Sequence, residues 1–407
     1  MDLAAPHYLT ESSHEALRKQ VRDFADSEVA PRVAEMEAER VVQGELSRRI
    51  ARQGWIGATI PRRYGGMGAG HLAKTIIIEE LARVSGAMGA MVQASQLGVA
   101  KILHFGTQKQ KDTWLPRIAD GTCLPTIAVT ERTSGGHVLG MTGTAERHGD
   151  EYVLNGEKVF VGNSHVGDLH GVVLRTGPRR RDVTAFLVDS NRPGCSVGDH
   201  RPRLGLHGFS FGELKLVDCR VPVDCRLGDE GDGWKVAYSS SILYGRPNLT
   251  AVALGIHQAL VDETRAYART QHRYGAPLHQ VSTVNQRLGA MWSSLMTCRT
   301  VAYLAASMLD RGEACDPELI NAKLVNTTEL VNSALAAKSI HGATALETDR
   351  PIERLIRDAL HVEDPAGTPD IQRLRLAEFA LGTDKGQQWS EMFPGDGDAD
   401  IDTALAN

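Results

Sequence analysis

Tyr152-Val153-Leu154-Asn155-Gly156-Glu157-Lys158-Val159-Phe160-Val161 decides the fold. Two short β-type runs, Tyr152–Leu154 and Lys158–Val161, flank Asn155-Gly156, a dipeptide that tolerates positive φ and so signals a turn. Working outward, Gly171–Leu174, Val183–Val188 and Glu213–Val217 repeat the pattern, separated by Gly, Asn, Pro and Asp. This spacing predicts a small antiparallel barrel or sandwich between about Cys123 and Gly231. Arg179-Arg180-Arg181 falls between two runs and reads as a solvated loop rather than an anion site.

Both flanks change period. On the N-terminal side Leu17, Val21, Phe24, Ala25 and Val29 recur at three- and four-residue steps, one face of a helix. Gly65 to Gly70 reads as a glycine-rich turn between helices. Gly106 reads as a left-handed helix stop and Thr107 as the N-cap of the next helix. On the C-terminal side Leu288, Met291, Leu295, Cys298, Ala302 and Ala305 mark a bundle seam. Asp316-Pro317-Glu318 reads as N-cap, first-position proline and first-turn acid. The expected fold class is α+β and multidomain: an N-terminal helical domain over 1–122, a central antiparallel β-barrel over 123–232, and a C-terminal four-helix bundle over 233–390. Residues 391–407, with Asp396, Asp398, Asp400 and Asp402, read as a disordered acidic tail. They lack the Gly and Glu that a calcium loop needs at its sixth and twelfth positions.

With 407 residues, 42% hydrophobic and 23% charged, the chain is long enough for a sizeable core and too apolar for general disorder. A net charge of −5 gives no electrostatic footprint for nucleic acid or anionic membranes. No uncharged apolar run is long enough to span a bilayer, and Met1–Glu11 lacks the order of a signal peptide. Six scattered cysteines without a C-x-x-C pair point to reduced thiols and a cytoplasmic location. No histidines pair at H-x-x-x-H spacing around a carboxylate, so no metal site is expected.

Two motifs fail on context. Gly66, Gly68 and Gly70 lack G-x-G-x-x-G spacing and a preceding strand, which excludes a dinucleotide fingerprint. Gly208-Phe209-Ser210-Phe211-Gly212 matches G-x-S-x-G, but a nucleophile elbow needs a strand before it and a helix after it. A turn-rich stretch precedes it and a strand-like run follows, so a glycine-rich turn is the reading.

Six segments in order are similar to the acyl-CoA dehydrogenase family. Ile60-Pro61-Arg62-Arg63-Tyr64-Gly65-Gly66 resembles I-P-x-x-Y-G-G, and Ala128-Val129-Thr130-Glu131 opens A-x-T-E-P-x-x-G-S-D. Tyr152 to Lys158 with Phe160 and Asn163 resembles Y-x-L-N-G-x-K-x-W-I-T-N. Leu204-Gly205 through Asp218-Cys219-Arg220-Val221-Pro222 resembles L-G-x-x-G…D-x-x-V-P. Arg273-Tyr274-Gly275-Ala276-Pro277 resembles R-x-F-G-x-P. Arg357-Asp358-Ala359, Gly367-Thr368 and Ile371-Gln372 resemble R-D-A-x-x-x-x-I-x-E-G-T-S-E-I-Q.

The resemblance implies an FAD-binding helix–barrel–bundle chain, a homodimer or homotetramer in which a neighbouring subunit completes the flavin site. It implies α,β-dehydrogenation of an acyl thioester: a carboxylate removes the α-proton while a hydride leaves for the flavin. It assigns Thr130, Gly136, Phe160, Gly162, Asn163, Gln271, Arg273, Tyr274, Ser339, Gly342, Thr368 and Asp370 to the cofactor. Tyr244, Arg246, Ala366 and Gly367 fall on the substrate side.

The departures are specific. The usual glutamate position holds Ala366, and the alternative one, just before Arg246, holds Gly245. Neither residue accepts a proton, and a general base contributes roughly 10²–10⁴ in rate. Glu363, Asp364 and Asp370 are the acids near enough in sequence to substitute. Gly136 replaces a serine expected by the cofactor phosphates, Gly162 a hydroxyl residue, Gln271 an arginine, and Ser339 a glutamine. Arg269 and Arg273 remain near Gln271. Each hydrogen bond lost to a charged phosphate costs about 1.5–3 kcal/mol, which implies weakly or transiently bound FAD.

The expected function is that of a divergent flavoprotein oxidoreductase acting on an acyl-CoA, a carrier-protein-bound acyl group or a related activated substrate in a specialised pathway. An electron acceptor or flavin reductase would be its redox partner. Two alternatives stand beside it: a reduced-flavin-dependent monooxygenase on the same fold, which needs no α-proton base, and a non-redox or inactive partner subunit.

Overall fold

The computed structural model describes residues 9–384 and 388–393. The expected tail from residue 394 onward, with its four aspartates, lies outside the described residues.

The N-terminal half is helical: α1 (Ser12–Phe24), α2 (Val33–Glu39), α3 (Gly44–Ala51), α4 (Gly70–Val84), α5 (Gly86–Phe105) and α6 (Gln108–Ala119). The face predicted for α1 is observed, since Leu17, Val21, Ala25 and Val29 are all buried, the last two in a π-helical turn. Thr107 caps α6 as expected, in a reciprocal capping box with Gln110. Gly106 differs from expectation. Its φ is −68°, not left-handed. Glycine is required there for close approach, because a Cβ would stand 2.5 Å from the Ile102 carbonyl oxygen.

The central strands are β1 (Pro125–Ala128), β2 (Thr144–His148), β3 (Glu151–Gly162), β4 (Leu169–Arg175), β5 (Val183–Asp189), β6 (Cys195–Val197), β7 (Phe211–Pro222) and β8 (Arg226–Leu227). They form a sheet ordered β6-β7-β3-β2-β4-β5-β8, with β1 beside β4. The expected closed antiparallel barrel is therefore corrected to an open, mixed sheet. Both β1 and β2 pair parallel to β4. The edges are the three-residue β6 and the two-residue β8, too short to zip into each other as closure requires.

Asn155-Gly156 is also not a hairpin turn. β3 runs straight through it, and the register against β7 shifts between Leu154 and Gly156. The dipeptide forms a bulge, in which the Asn155 side chain accepts from the Asp218 backbone N–H at 2.8 Å.

The C-terminal half holds α7 (Gly233–Ser239), α8 (Arg246–Thr270), β9 (His272–Arg273), β10 (Ala276–Pro277), α9 (Ser282–Asp310), α10 (Asp316–His341), α11 (Pro351–Val362), α12 (Pro369–Ala380) and α13 (Trp389–Met392). The bundle seam on α9 is buried at Met291, Leu295, Cys298, Ala302 and Ala305. Asp316 is not an N-cap. The chain enters α10 from Cys315, and the Asp316 carboxylate accepts from the backbone N–H groups of Trp389 (2.9 Å) and Ser390 (2.8 Å), docking α13.

The two helical halves share one core. α4 packs on α8 and α9. At Gly255 the helices approach so closely that a Cβ would lie 2.3 Å from the Glu79 carbonyl oxygen. Buried Glu79 also accepts from Arg299 at 2.7 Å, tying α4 to α9. Among the described residues no helix is long and apolar enough to cross a membrane, and no cluster of three or more His, Cys, Asp or Glu is placed to hold a metal. All six cysteines are free.

Candidate active site

The site is built where three segments meet: the middle of α5, the turn entering α8, and the loop between α11 and α12. Ser240–Gly245 winds as a π-helical turn, a geometry concentrated at functional sites. It ends at Gly245, so Arg246 opens α8. In the opposing loop Ala366 sits at φ +57° and Gly367 at φ +102°, which turns the chain sharply before Thr368 caps α12.

That loop is held by two residues to which the sequence reading gave no role. Lys323 on α10 donates to the carbonyls of Glu363 and of Gly367, the latter at 2.7 Å. Gln372 donates to the carbonyls of Ala366 (3.0 Å) and Gly367 (3.1 Å). The only sequence signal for Lys323 is a lysine on the apolar stretch of a bundle helix; Gln372 lies in the quoted Ile371-Gln372 pair.

The predicted base positions converge. A Cβ placed on Gly245 would lie 3.5 Å from the Ala366 Cβ, 3.4 Å from Leu97 Cδ2 on α5 and 3.6 Å from Ser241 Oγ. No carboxylate is among those nearest atoms. Of the acids that could substitute, Asp370 has a side chain 92% exposed and paired with Arg373 at 2.9 Å. Asp364 is exposed and Glu363 half-buried. Among the described residues, no hydrogen bond or ion pair joins any of these three side chains to Arg246.

Arg246 is 93% buried by its 7% exposure, and burial pulls its guanidinium down to about 10, still charged at neutral pH. Its Nε has no hydrogen-bond partner. Burial likewise lowers the Lys323 ammonium to about 8. Tyr244, expected on the substrate side, packs its ring 5.0 Å from His71 and beneath the Lys74 ammonium at 4.4 Å.

The first group of expected cofactor residues lies at the end of β3. Phe160 (φ +56°) and Asn163 (φ +61°) take left-handed conformations that are strained for side-chain-bearing residues. The Phe160 ring is thereby turned outward, 52% exposed, with the Arg203 guanidinium 5.3 Å above it. Asn163 is wholly buried and donates to Met91 O (2.8 Å) and Ser95 Oγ (2.9 Å), pinning the strand end to α5. Between them, a Cβ on Gly162 would press to 2.7 Å from Ala94 Cβ. The missing hydroxyl thus has a steric cause: α5 lies against that backbone.

Thr130 adjoins this group through its carbonyl, which accepts from Val159 N at 2.8 Å. The following loop is anchored by Glu131, paired with buried Lys158 at 2.7 Å and capped by the N–H groups of Thr142 and Gly143. Gly136 has nothing within 4 Å of a would-be Cβ, and Ser134 Oγ is buried without a partner. Unfilled space, an orphaned hydroxyl and an outward aromatic face fit a bound flavin nucleotide.

The second group sits at the far end of the bundle. Gln271, Arg273 and Tyr274 occupy the β9–β10 hairpin, and Ser339 and Gly342 the end of α10. Tyr267 holds the two regions together, donating to His341 O at 3.2 Å. Tyr274 is fully exposed. No hydrogen bond, ion pair or ring contact joins this group to Thr130, Phe160 or Asn163 among the described residues. Elsewhere, Ser210 of G-x-S-x-G bonds His165 at both N (2.8 Å) and Nδ1 (3.0 Å) and leads straight into β7, the turn expected from its context.

Three family descriptions match in succession: the N-terminal domain of acyl-CoA dehydrogenase over residues 11–122, the middle domain over 126–219 and the C-terminal domain over 231–381. An acyl-CoA dehydrogenase of Bacillus subtilis (strain 168) is 34% identical over 369 residues, covering 90% of this chain and 97% of that one. The solved butyryl-CoA dehydrogenase of Megasphaera elsdenii superposes with a TM-score of 0.89 at 27% identity, covering 94% of this chain and all of that one. An FAD complex of PigA superposes with a TM-score of 0.87 at 25% identity, again covering 94% and 100%.

Proposed function

Because the chain belongs to the acyl-CoA dehydrogenase family of FAD-dependent oxidoreductases acting on CH–CH groups, we propose that it oxidises an acyl thioester or related activated substrate in a specialised pathway, without the usual proton-abstracting carboxylate. The contact between Gly245 and Ala366 carries this reading: the two positions that could hold the base face each other, and neither has a side chain that accepts a proton.

FAD, when bound, supplies a two-electron acceptor for the hydride leaving the substrate. The chain's own residues do the rest. Thr130, Ser134 and the open loop at Gly136 would hold the cofactor, with Phe160 against it. Gln271, Arg273, Tyr274, Ser339 and Gly342 are proposed to meet the cofactor of a neighbouring subunit, as the full exposure of Tyr274 supports. A homodimer, or a homotetramer built from two dimers, is proposed to follow. Lys323 and Gln372 fix the Ala366 loop, and α5 walls the site from below through Ala94 and Leu97. Free cysteines support a reducing, cytoplasmic setting.

The proposal is tested by purifying the protein, recording its flavin absorbance, and titrating it anaerobically with straight-chain acyl-CoAs and with acyl groups on a carrier protein. Slow or absent bleaching by simple acyl-CoAs is expected. Rapid bleaching would show that a base operates and return the chain to ordinary β-oxidation chemistry. Gly162, which brings no hydroxyl to the cofactor side, favours the monooxygenase as a second reading; oxygen-dependent hydroxylation with supplied reduced flavin would establish it.

A further inference from the structure

We infer that the acyl group accepted at this site carries an uncharged hydroxyl, held by the carboxamides of Gln93 and Asn248 between α5 and α8; this rests on the acyl-thioester reading above. Every α5 residue from Gly86 to Ile102 is buried except Leu97, whose Cδ2 would lie 3.4 Å from a Cβ on Gly245. Gln93 sits one turn earlier on the same face and keeps 9% exposure. Residual exposure on the inner face of an otherwise sealed helix marks a hollow, and this one begins at the two base positions.

The polar groups beside that hollow are unsatisfied. Among the described residues the Gln93 carboxamide makes no hydrogen bond. Asn248, on α8 one turn past Gly245, is fully buried. Its Nδ2 donates to the Gln93 backbone carbonyl at 3.3 Å, which fixes the orientation of the amide and leaves Oδ1 an acceptor without a partner. The neighbouring polar residues of α5 are engaged: Ser95 Oγ accepts from Asn163 at 2.9 Å, and Gln96 donates to the Ile56 carbonyl at 2.9 Å. A buried acceptor left unpaired costs the desolvation of that group, and a polar hollow is filled by water or by a polar group of the ligand. Both amides are neutral. An ammonium would find no carboxylate among the atoms nearest Gly245, and an anion would meet the Asn248 acceptor. A hydroxyl can donate to Asn248 Oδ1 and accept from Gln93 Nε2 at once. Gln93 stands four residues, about 6 Å, along α5 from Leu97, which puts the hydroxyl about four or five bonds beyond the carbon addressed by the base positions.

The test measures dissociation constants of the FAD-loaded protein for two matched pairs of thioesters: 5-hydroxyvaleryl-CoA against hexanoyl-CoA, and 6-hydroxyhexanoyl-CoA against heptanoyl-CoA. Within each pair a hydroxyl replaces a methyl group. At least one hydroxylated member should bind about tenfold tighter or more, because the plain chain leaves both amides unpaired. Gln93→Leu and Asn248→Leu, made separately, should each bring that ratio to one or below while tightening the plain member, an effect that a merely structural role would not produce. Equal affinities in the wild-type protein mean that the hollow holds only water; they would overturn the inference and leave the acyl-thioester activity standing. Binding of no thioester at all overturns both. A ratio undiminished in both variants assigns the preference to other residues and also overturns it. The wild-type comparison stands without either variant, should one fail to fold.

Discussion

Gly245, at the end of a π-helical turn, and Ala366, in a loop more than a hundred residues later, meet so closely that a methyl on the first would touch the methyl of the second at 3.5 Å. Two chemically equivalent positions, one on each wall, thus address one point in space. A carboxylate from either wall should serve there. Ala366→Glu and Gly245→Glu, made separately, are each expected to raise the rate of flavin reduction by a simple acyl-CoA by about 10²–10⁴. The backbone allows both: Gly245 is already helical, and Ala366 already pays its left-handed strain. Stopped-flow bleaching checks this, and an unchanged rate in both variants would mean a base is already present.

Gly162 faces Ala94 across a gap with no room for a side chain. Gly162→Thr, which restores the hydroxyl, should lower the melting temperature through an overpacking penalty of about 1–3 kcal/mol. Adding Ala94→Gly should recover part of that loss. Calorimetry on the single and double variants decides it; a fully stable single variant would show that α5 moves freely.

Lys158 and Glu131 are paired inside the sheet domain, at 0% and 5% side-chain exposure. Glu131→Gln leaves the ammonium buried without its counter-charge and should cost about 3–5 kcal/mol. It also weakens the hold on Thr142 and Gly143, so FAD content should fall with it. The double variant Glu131→Met/Lys158→Met should lose less stability than the single one, because no unpaired charge remains. Urea unfolding with a flavin assay on each sample checks both parts.

Lys74 is fully buried next to His71 Nδ1 at 2.8 Å, and burial lowers its ammonium from the ordinary 10.5 to about 7. Between those two values the unfolded chain holds a proton the folded chain has released, so stability attributable to this residue rises with pH across that window. Lys74→Met should therefore gain most over wild type below about pH 7 and lose that advantage as the pH rises toward about 10. Unfolding curves at several pH values test this; an advantage constant with pH would show that Lys74 keeps its ordinary value.

The legible parts of the fold were those set by local chemistry. The α1 face, the Thr107 cap and the α9 seam follow from periodicity and short-range hydrogen bonding, and the structure bears them out. Asn155-Gly156 misled because a dipeptide that favours a turn equally tolerates a bulge, and only pairing with β7 selects between them. Sheet closure misled for the same reason: strand runs are visible one at a time, whereas the parallel placement of β1 and β2 on β4 depends on how the whole sheet assembles.

For the site, the residue types alone determined that the two positions expected to hold the base, Gly245 and Ala366, carry no carboxylate, since no arrangement in space gives glycine or alanine one. Only the tertiary structure decided that these two positions face each other, that Lys323 and Gln372 hold one of them in place, and that Arg246 is buried with its Nε unpartnered. Those facts depend on packing between segments remote in the chain, and a linear pattern carries no record of which surfaces will exclude water together.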